Sequence, residues 1–202
     1  MKLDLRKQLR TLYDAPLEPV LVEVPAMNFL MIDGSGDPNG SEEYRQALEA
    51  LFGLSYTLKF KAKKLGSDYG VLPLEGLWWV DDLASLDFKR KDNWKWTSLI
   101  MQPDLVTEEM VEEATEELRR KKDPPALSRM RFERFDEGLA AQVMHIGPYA
   151  DEGPTIQRLH AFVGGSGHEL MGRHHEIYLS DVNRTAPERL RTIIRNPIRP
   201  HQ

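Results

Sequence analysis

Between residues 18 and 34, EPVLVEVPAMNFLMIDG alternates and then runs apolar, the pattern of extended chain, interrupted at Pro25 and ended at Gly34. The turn-rich DGSGDPNG follows, and then Tyr44, Ala47, Leu48, Leu51, Ser55 and Leu58 recur at helical spacing. Asn39 and Ser41 are candidate N-caps, and Lys59, Lys61, Lys63 and Lys64 suit the negative end of a helix dipole. One helix is predicted over 41 to 64, weakened but not ended by Gly53. YGVLPLEGLWWV (69 to 80) and WKWTSLIMQ (94 to 102) have strand composition, and the charged LDFKRKDNW region (86 to 94) reads as a solvated loop. TEEMVEEATEELRRKK (107 to 122) begins with a Thr cap and acids, ends in bases, and carries a narrow apolar stripe of Met110, Val111, Ala114 and Leu118. It is predicted to be a surface connector, closed by Asp123, Pro124 and Pro125.

The pattern then repeats. MRFERFDEGLAAQVMHIG ends in glycine as the first extended segment does, and PYADEGP leads into a shorter helix with Ile156, Leu159 and Val163 at helical spacing. A strand over 171 to 180 and a last one at LRTIIRNPI complete a second β-α-β-β order. The fold class expected is α+β: one domain over 1–202, with module one at about 18–104, the connecting helix at 107–122 and module two at about 128–199. Laying GLWWVDD on HEIYLSD matches Leu77 with Glu176, Trp78 with Ile177 and Trp79 with Tyr178. Strand alternation then turns Trp78, Val80, Ile177 and Leu179 towards the helices, and Glu75, Leu77, Trp79, His174, Glu176 and Tyr178 away from them. Leu77 and Trp79 on a face open to water would be costly. The expectation is a covered groove between modules related by a pseudo-twofold axis, with aromatic walls and the carboxylates of Glu75 and Glu176 in it.

Composition narrows the chemistry. The net charge of −5 and pI near 5.7 supply no general field for a polyanion, so direct nucleic-acid binding is not expected. With no cysteine there is no disulfide, thiol nucleophile or thiolate metal site. His168, His174 and His175 stand near Glu169 and Glu176, but His174 and His175 point to opposite faces of a strand and no HExxH occurs, so no metal is expected. DGSGDPNG lacks the residues of a phosphate-binding loop, and there is no GxSxG elbow. MKLDLRKQLRTLYDAP has no apolar core of signal-peptide length and no later segment has the length of a membrane span, so a cytoplasmic location without membrane attachment is expected.

HIGPYADEGPTIQRL, LEGLWWVDD and HHEIYLSDVNRTAPERLRTIIRNPI resemble the GyrI-like small-molecule-binding domain family, whose members include effector domains of multidrug-responsive regulators. The resemblance covers nearly all of the chain after residue 18 and implies two β-α-β-β modules around a central ligand groove. The 17 residues ahead of the first strand are too few for a helix-turn-helix, so direct transcription control by this chain is not expected.

The family's pocket glutamate matches Glu176 in HHEIY. A stand-alone subgroup, similar in the LEGLWW and HHEIYLSD regions, hydrolyses the activated cyclopropane of DNA-alkylating natural products within an aromatic cage. The resemblance therefore implies a xenobiotic-handling hydrolase with Glu176 and Tyr178 as catalytic residues and no cofactor. Trp79, Tyr56, Tyr69, Glu75, Leu77, Tyr149 and His174 are the expected ligand contacts. Glu176, its basicity raised by apolar neighbours, would hold or deprotonate the water, while a tyrosine hydroxyl donates to the dienone carbonyl. The expected partners are flat aromatic or cationic small molecules; the alternatives are a non-catalytic drug-sequestering module and an interaction protein acting on DNA gyrase.

Overall fold

In a computed structural model, residues 2–81 and 93–201 are described, and most of the expected loop at 86 to 94 lies outside them. The first part of the chain runs β1 (Lys2–Leu3), α1 (Leu5–Gln8), α2 (Arg10–Tyr13), β2 (Val20–Val24), β3 (Met27–Ser35), α3 (Glu42–Lys64), β4 (Asp68–Tyr69), β5 (Glu75–Trp79) and β6 (Lys95–Gln102). Then follow α4 (Glu108–Lys121), β7 (Arg131–Phe135), β8 (Gly138–Ile146), α5 (Gly153–Gly165), β9 (His168–Leu170), β10 (His174–Tyr178) and β11 (Arg191–Pro200). The fold is α+β, with the predicted β-α-β-β order present twice.

Two compact units divide the chain, and they interleave along it. The first holds Met1–Gln8, Met27–Leu72 and Gly76–Phe135; the second holds Leu9–Ala26, Pro73–Glu75 and Asp136–Gln202. This differs from consecutive modules at 18–104 and 128–199. The segment read as one interrupted extended stretch is two strands with different destinations. β2 pairs antiparallel with β8, whereas β3 pairs with β6 and β7. Local pattern reports that a segment is extended, but not which distant strand takes up its hydrogen bonds.

In the first unit Ser41 caps α3, its side chain accepting from the Tyr44 N–H at 3.2 Å, and Thr107 caps α4 by the same contact to Met110. α4 lies on α3 through Ala114 and Leu118. Gly53 explains itself here: a Cβ at this position would meet Leu118 Cδ2 at 3.2 Å. On the α3-covered sheet face, Tyr44 meets Trp96 edge to face at 5.0 Å and Trp78 at 6.1 Å, and Trp78 meets Trp94 at 6.0 Å. Trp78 thus points to the helix side, as alternation predicts. The Trp96 indole lies over Gly34, where a Cβ would collide with the ring.

In the second unit β11 is central, paired with β8 on one side and β10 on the other, with β9 along its far end. α5 packs Leu159 and Val163 on Ala141, Val143, Ile194 and Ile198. Since Glu176 stands directly opposite Ile194, which stands opposite Val143, Glu176 shares the face that α5 covers. The gapless match of GLWWVDD to HEIYLSD had turned it the other way. Ile177 is buried on the reverse face, so both faces of β10 have core character and alternation alone does not choose between them.

Candidate functional site

The α5 face of β10 brings together four of the expected residues: His174, Glu176, Tyr178 and Tyr149. Glu176 is largely buried, its side chain 14% exposed, and a donor engages each carboxylate oxygen. His174 Nε2 lies 3.0 Å from Oε1, and the Tyr178 hydroxyl donates to Oε2 at 2.7 Å. Period 2 along the strand makes this clamp, because residues 174, 176 and 178 share one face. His174 Nδ1 lies 3.3 Å from Asn196 Oδ1 on β11. His160 on α5 is pushed below its ordinary value by burial and by the nearby His174. Tyr149 meets Tyr178 edge to face, centroids 5.5 Å apart. Burial, with the charges of Glu152 and Glu176, pushes the Tyr149 hydroxyl up to about 12, so it keeps its proton.

Tyr149 is held by its loop. His145 Nδ1 lies 3.0 Å from Thr155 Oγ1 and Nε2 lies 3.2 Å from the Pro148 carbonyl. A carbonyl only accepts, so Nε2 carries the proton and Nδ1 accepts from Thr155. The ring therefore ties the end of β8 to both sides of the turn that carries Tyr149.

Glu75 does not belong to this face. It is 1% exposed, its Oε1 accepts from the Tyr13 hydroxyl at 2.6 Å, and its Oε2 lies 2.9 Å from His175 Nε2. The other His175 nitrogen meets Glu137 at 2.9 Å, and Glu137 meets Arg195 at 3.4 Å. Arg195 is in turn bound by Gln142 and by the Leu12 carbonyl. With a carboxylate at each nitrogen, the His175 ring is an imidazolium. Burial alone would favour the neutral ring, but Glu137 and Glu75 outweigh it and raise His175 to about 9. Burial opposes the charge of Glu137 as well, and His175 and Arg195 nevertheless lower its pKa. Two cations and two anions balance in the interior of the unit, on the face of β10 opposite Glu176. Glu75 is thus an interior ion-pair partner, where the repeat had placed it in a ligand groove.

The remaining expected contacts belong to the first unit. Tyr56 is 49% exposed on α3 and stacked on Phe60. Tyr69 and Leu77 are buried at 3% and 4%, too enclosed in this structure to present a surface, and burial drives the Tyr69 hydroxyl well above its ordinary value. Trp79 is half-buried. Sequence reasoning missed Tyr13, Glu137, Gln142, His145, Arg195 and Asn196. Arg195 carried a signal: an arginine within the apolar run of TIIRNPI must find a buried partner if the strand is central. Among the described residues no group of three or more His, Cys, Asp or Glu side chains converges as a metal site, and no helix is long and apolar enough to cross a membrane.

A largely buried carboxylate held by two donors beside edge-on tyrosines is suited to orienting a water or a cationic group against an aromatic molecule. An uncharacterised conserved protein from Listeria innocua is 41% identical, with a TM-score of 0.92 over 98% of this chain and 100% of its own. A hydrolase from Listeria innocua is 39% identical, with a TM-score of 0.89 over the same shares. The C-terminal domain of EcmrR, 13% identical with a TM-score of 0.59 over 91% of this chain and 98% of its own, shares the fold. No curated protein matches significantly. The model of the GyrI-like small-molecule-binding domain matches residues 17–199, and the chain belongs to that family.

Proposed function

We propose that the protein is a hydrolase of small molecules carrying an activated cyclopropane fused to a dienone, with Glu176 as general base. The observation that carries this reading is the clamped Glu176 carboxylate beside the Tyr149–Tyr178 pair. A water held at Glu176 is the nucleophile of this reaction. The water oxygen bonds to a cyclopropane carbon and passes its proton to Glu176. The ring C–C bond breaks, and its electron pair aromatises the dienone into a phenolate, which then takes a proton. Strain relief and aromatisation supply the driving force, so the protein's part is to orient the water and the flat ligand.

In this reading Tyr178 is not the donor to the carbonyl. Its one hydroxyl proton is given to Glu176, so it serves as a clamp and as a ring wall. Among the described residues no hydrogen bond engages the Tyr149 hydroxyl, which makes Tyr149 the donor to the carbonyl oxygen. The identity with a hydrolase supports a hydrolytic reaction at this site.

Incubation with a cyclopropane-fused dienone alkylator, followed by mass spectrometry, should show catalytic conversion to the water adduct. Glu176→Gln should lose about 10²–10⁴-fold in kcat, the usual worth of a general base, while equilibrium dialysis still shows binding of the ring-opened phenol. Alkylator recovered unchanged by the wild-type protein would reduce the reading to ligand binding without chemistry.

A further inference from the structure

We infer that His174 and Asn196 form a positioning pair for Glu176, rather than part of the ligand-contact surface. This rests on the reading of Glu176 as general base and deepens it. His174 is enclosed by the fold: its side chain is 20% exposed and both ring nitrogens are engaged, Nε2 by Glu176 Oε1 at 3.0 Å and Nδ1 by Asn196 Oδ1 at 3.3 Å. Asn196 is 6% exposed and stands across from His174 on β11, one step from the Arg195–His175 pair of the register. A half-exposed ligand contact would leave a nitrogen free for the ligand. Here the ring spans from a buried amide to the carboxylate.

The Glu176 carboxylate and the Asn196 amide oxygen only accept, so Nε2 donates to Oε1 and Nδ1 donates to Oδ1. Tyr178 donates to Oε2 from two residues further along the strand. Two donors, one at each oxygen and arriving from opposite directions along β10, remove the rotational freedom about the terminal carboxylate bond. The plane of the Glu176 carboxylate is thereby fixed. Tyr178 belongs to the aromatic wall as well, whereas His174 carries the positioning task and Asn196 engages its second ring nitrogen.

Two measurements decide this. In turnover of the cyclopropane-fused dienone, His174→Ala should lower kcat by about 10²-fold, the penalty of a misplaced reacting group, with KM changed less than threefold. His174→Gln, which keeps a donor, should recover most of the loss, and Asn196→Leu should show a smaller fall in kcat of the same kind. A His174→Ala protein whose KM rises with kcat unchanged would make His174 a ligand contact and overturn the inference. The second measurement needs no activity: nitrogen-15 histidine spectra of the free protein should show His174 protonated at Nε2, with that resonance displaced in Glu176→Gln. A resonance indifferent to Glu176→Gln would overturn the pairing even in an active enzyme. Conversely, a wild-type protein that leaves the dienone intact would refute the hydrolase reading, while the spectra still decide the pairing.

Discussion

The two units share the β-α-β-β order yet spend their helix-covered faces differently. In the first, α3 runs 23 residues, about 34 Å at 1.5 Å per residue, and its Tyr44 packs on an aromatic cluster of Trp78, Trp94 and Trp96 beneath it. In the second, α5 runs 13 residues, about 20 Å, and packs on β8 and β9, while the same face of β10 carries His174, Glu176 and Tyr178. Trp78 is 7% exposed, whereas the Glu176 side chain is 14% exposed and bound by His174 and Tyr178. The face beneath the shorter helix carries polar side chains, and the reverse face of the same strand holds the buried charge network.

That division of labour can be broken at several points. The largest expected effect is at His175. Replacement by alanine strands Glu75 and Glu137 in the interior, and such a break costs about 3–5 kcal/mol, measurable by urea unfolding. A loss below 1 kcal/mol would mean that the network is not what holds the second unit. Next is Gly34→Ala in the first unit, where the new methyl meets the Trp96 ring. Overpacking of this kind costs about 1–3 kcal/mol, and Gly34→Ala should alter the near-ultraviolet tryptophan signal while leaving His175 chemistry alone.

The buried network of the second unit makes its stability depend on pH. The raised His175 contributes stability that is complete below its unfolded value of about 6.5 and is lost as pH climbs through about 9. The lowered Glu137 acts in the opposite sense, contributing above its unfolded value of about 4.3 and failing as pH falls through its depressed value. Stability should therefore be greatest between about pH 4.3 and 6.5 and decline towards pH 9. His175→Ala should flatten the alkaline limb.

Much of this was legible in the chain. Ser41 and Thr107 announce their helices to within a residue, and the glycine-ended strands reveal the repeated order. Both signals are local. The clamp was legible in part, since HHEIY places His174, Glu176 and Tyr178 on one face wherever that face turns. Which face it was could not be read, because Ile177 and Leu179 gave β10 an apolar side that belongs to the core shared with the His175 network. Tyr13 and Glu137 were out of reach for another reason: each sits outside a strand run, and only the tertiary path of the chain brings them to His175.

The destination of β2 has a consequence for synthesis. Its partner β8 begins at Gly138, so a growing chain that emerges at about 5–20 residues per second carries VLVEV without its native mate for on the order of ten seconds. A bare strand of this composition is a template for misassociation. Pro19, Pro25 and the acids Glu18 and Glu23 bracket or interrupt it, which is the gatekeeper arrangement that keeps a waiting strand soluble until its partner leaves the ribosome.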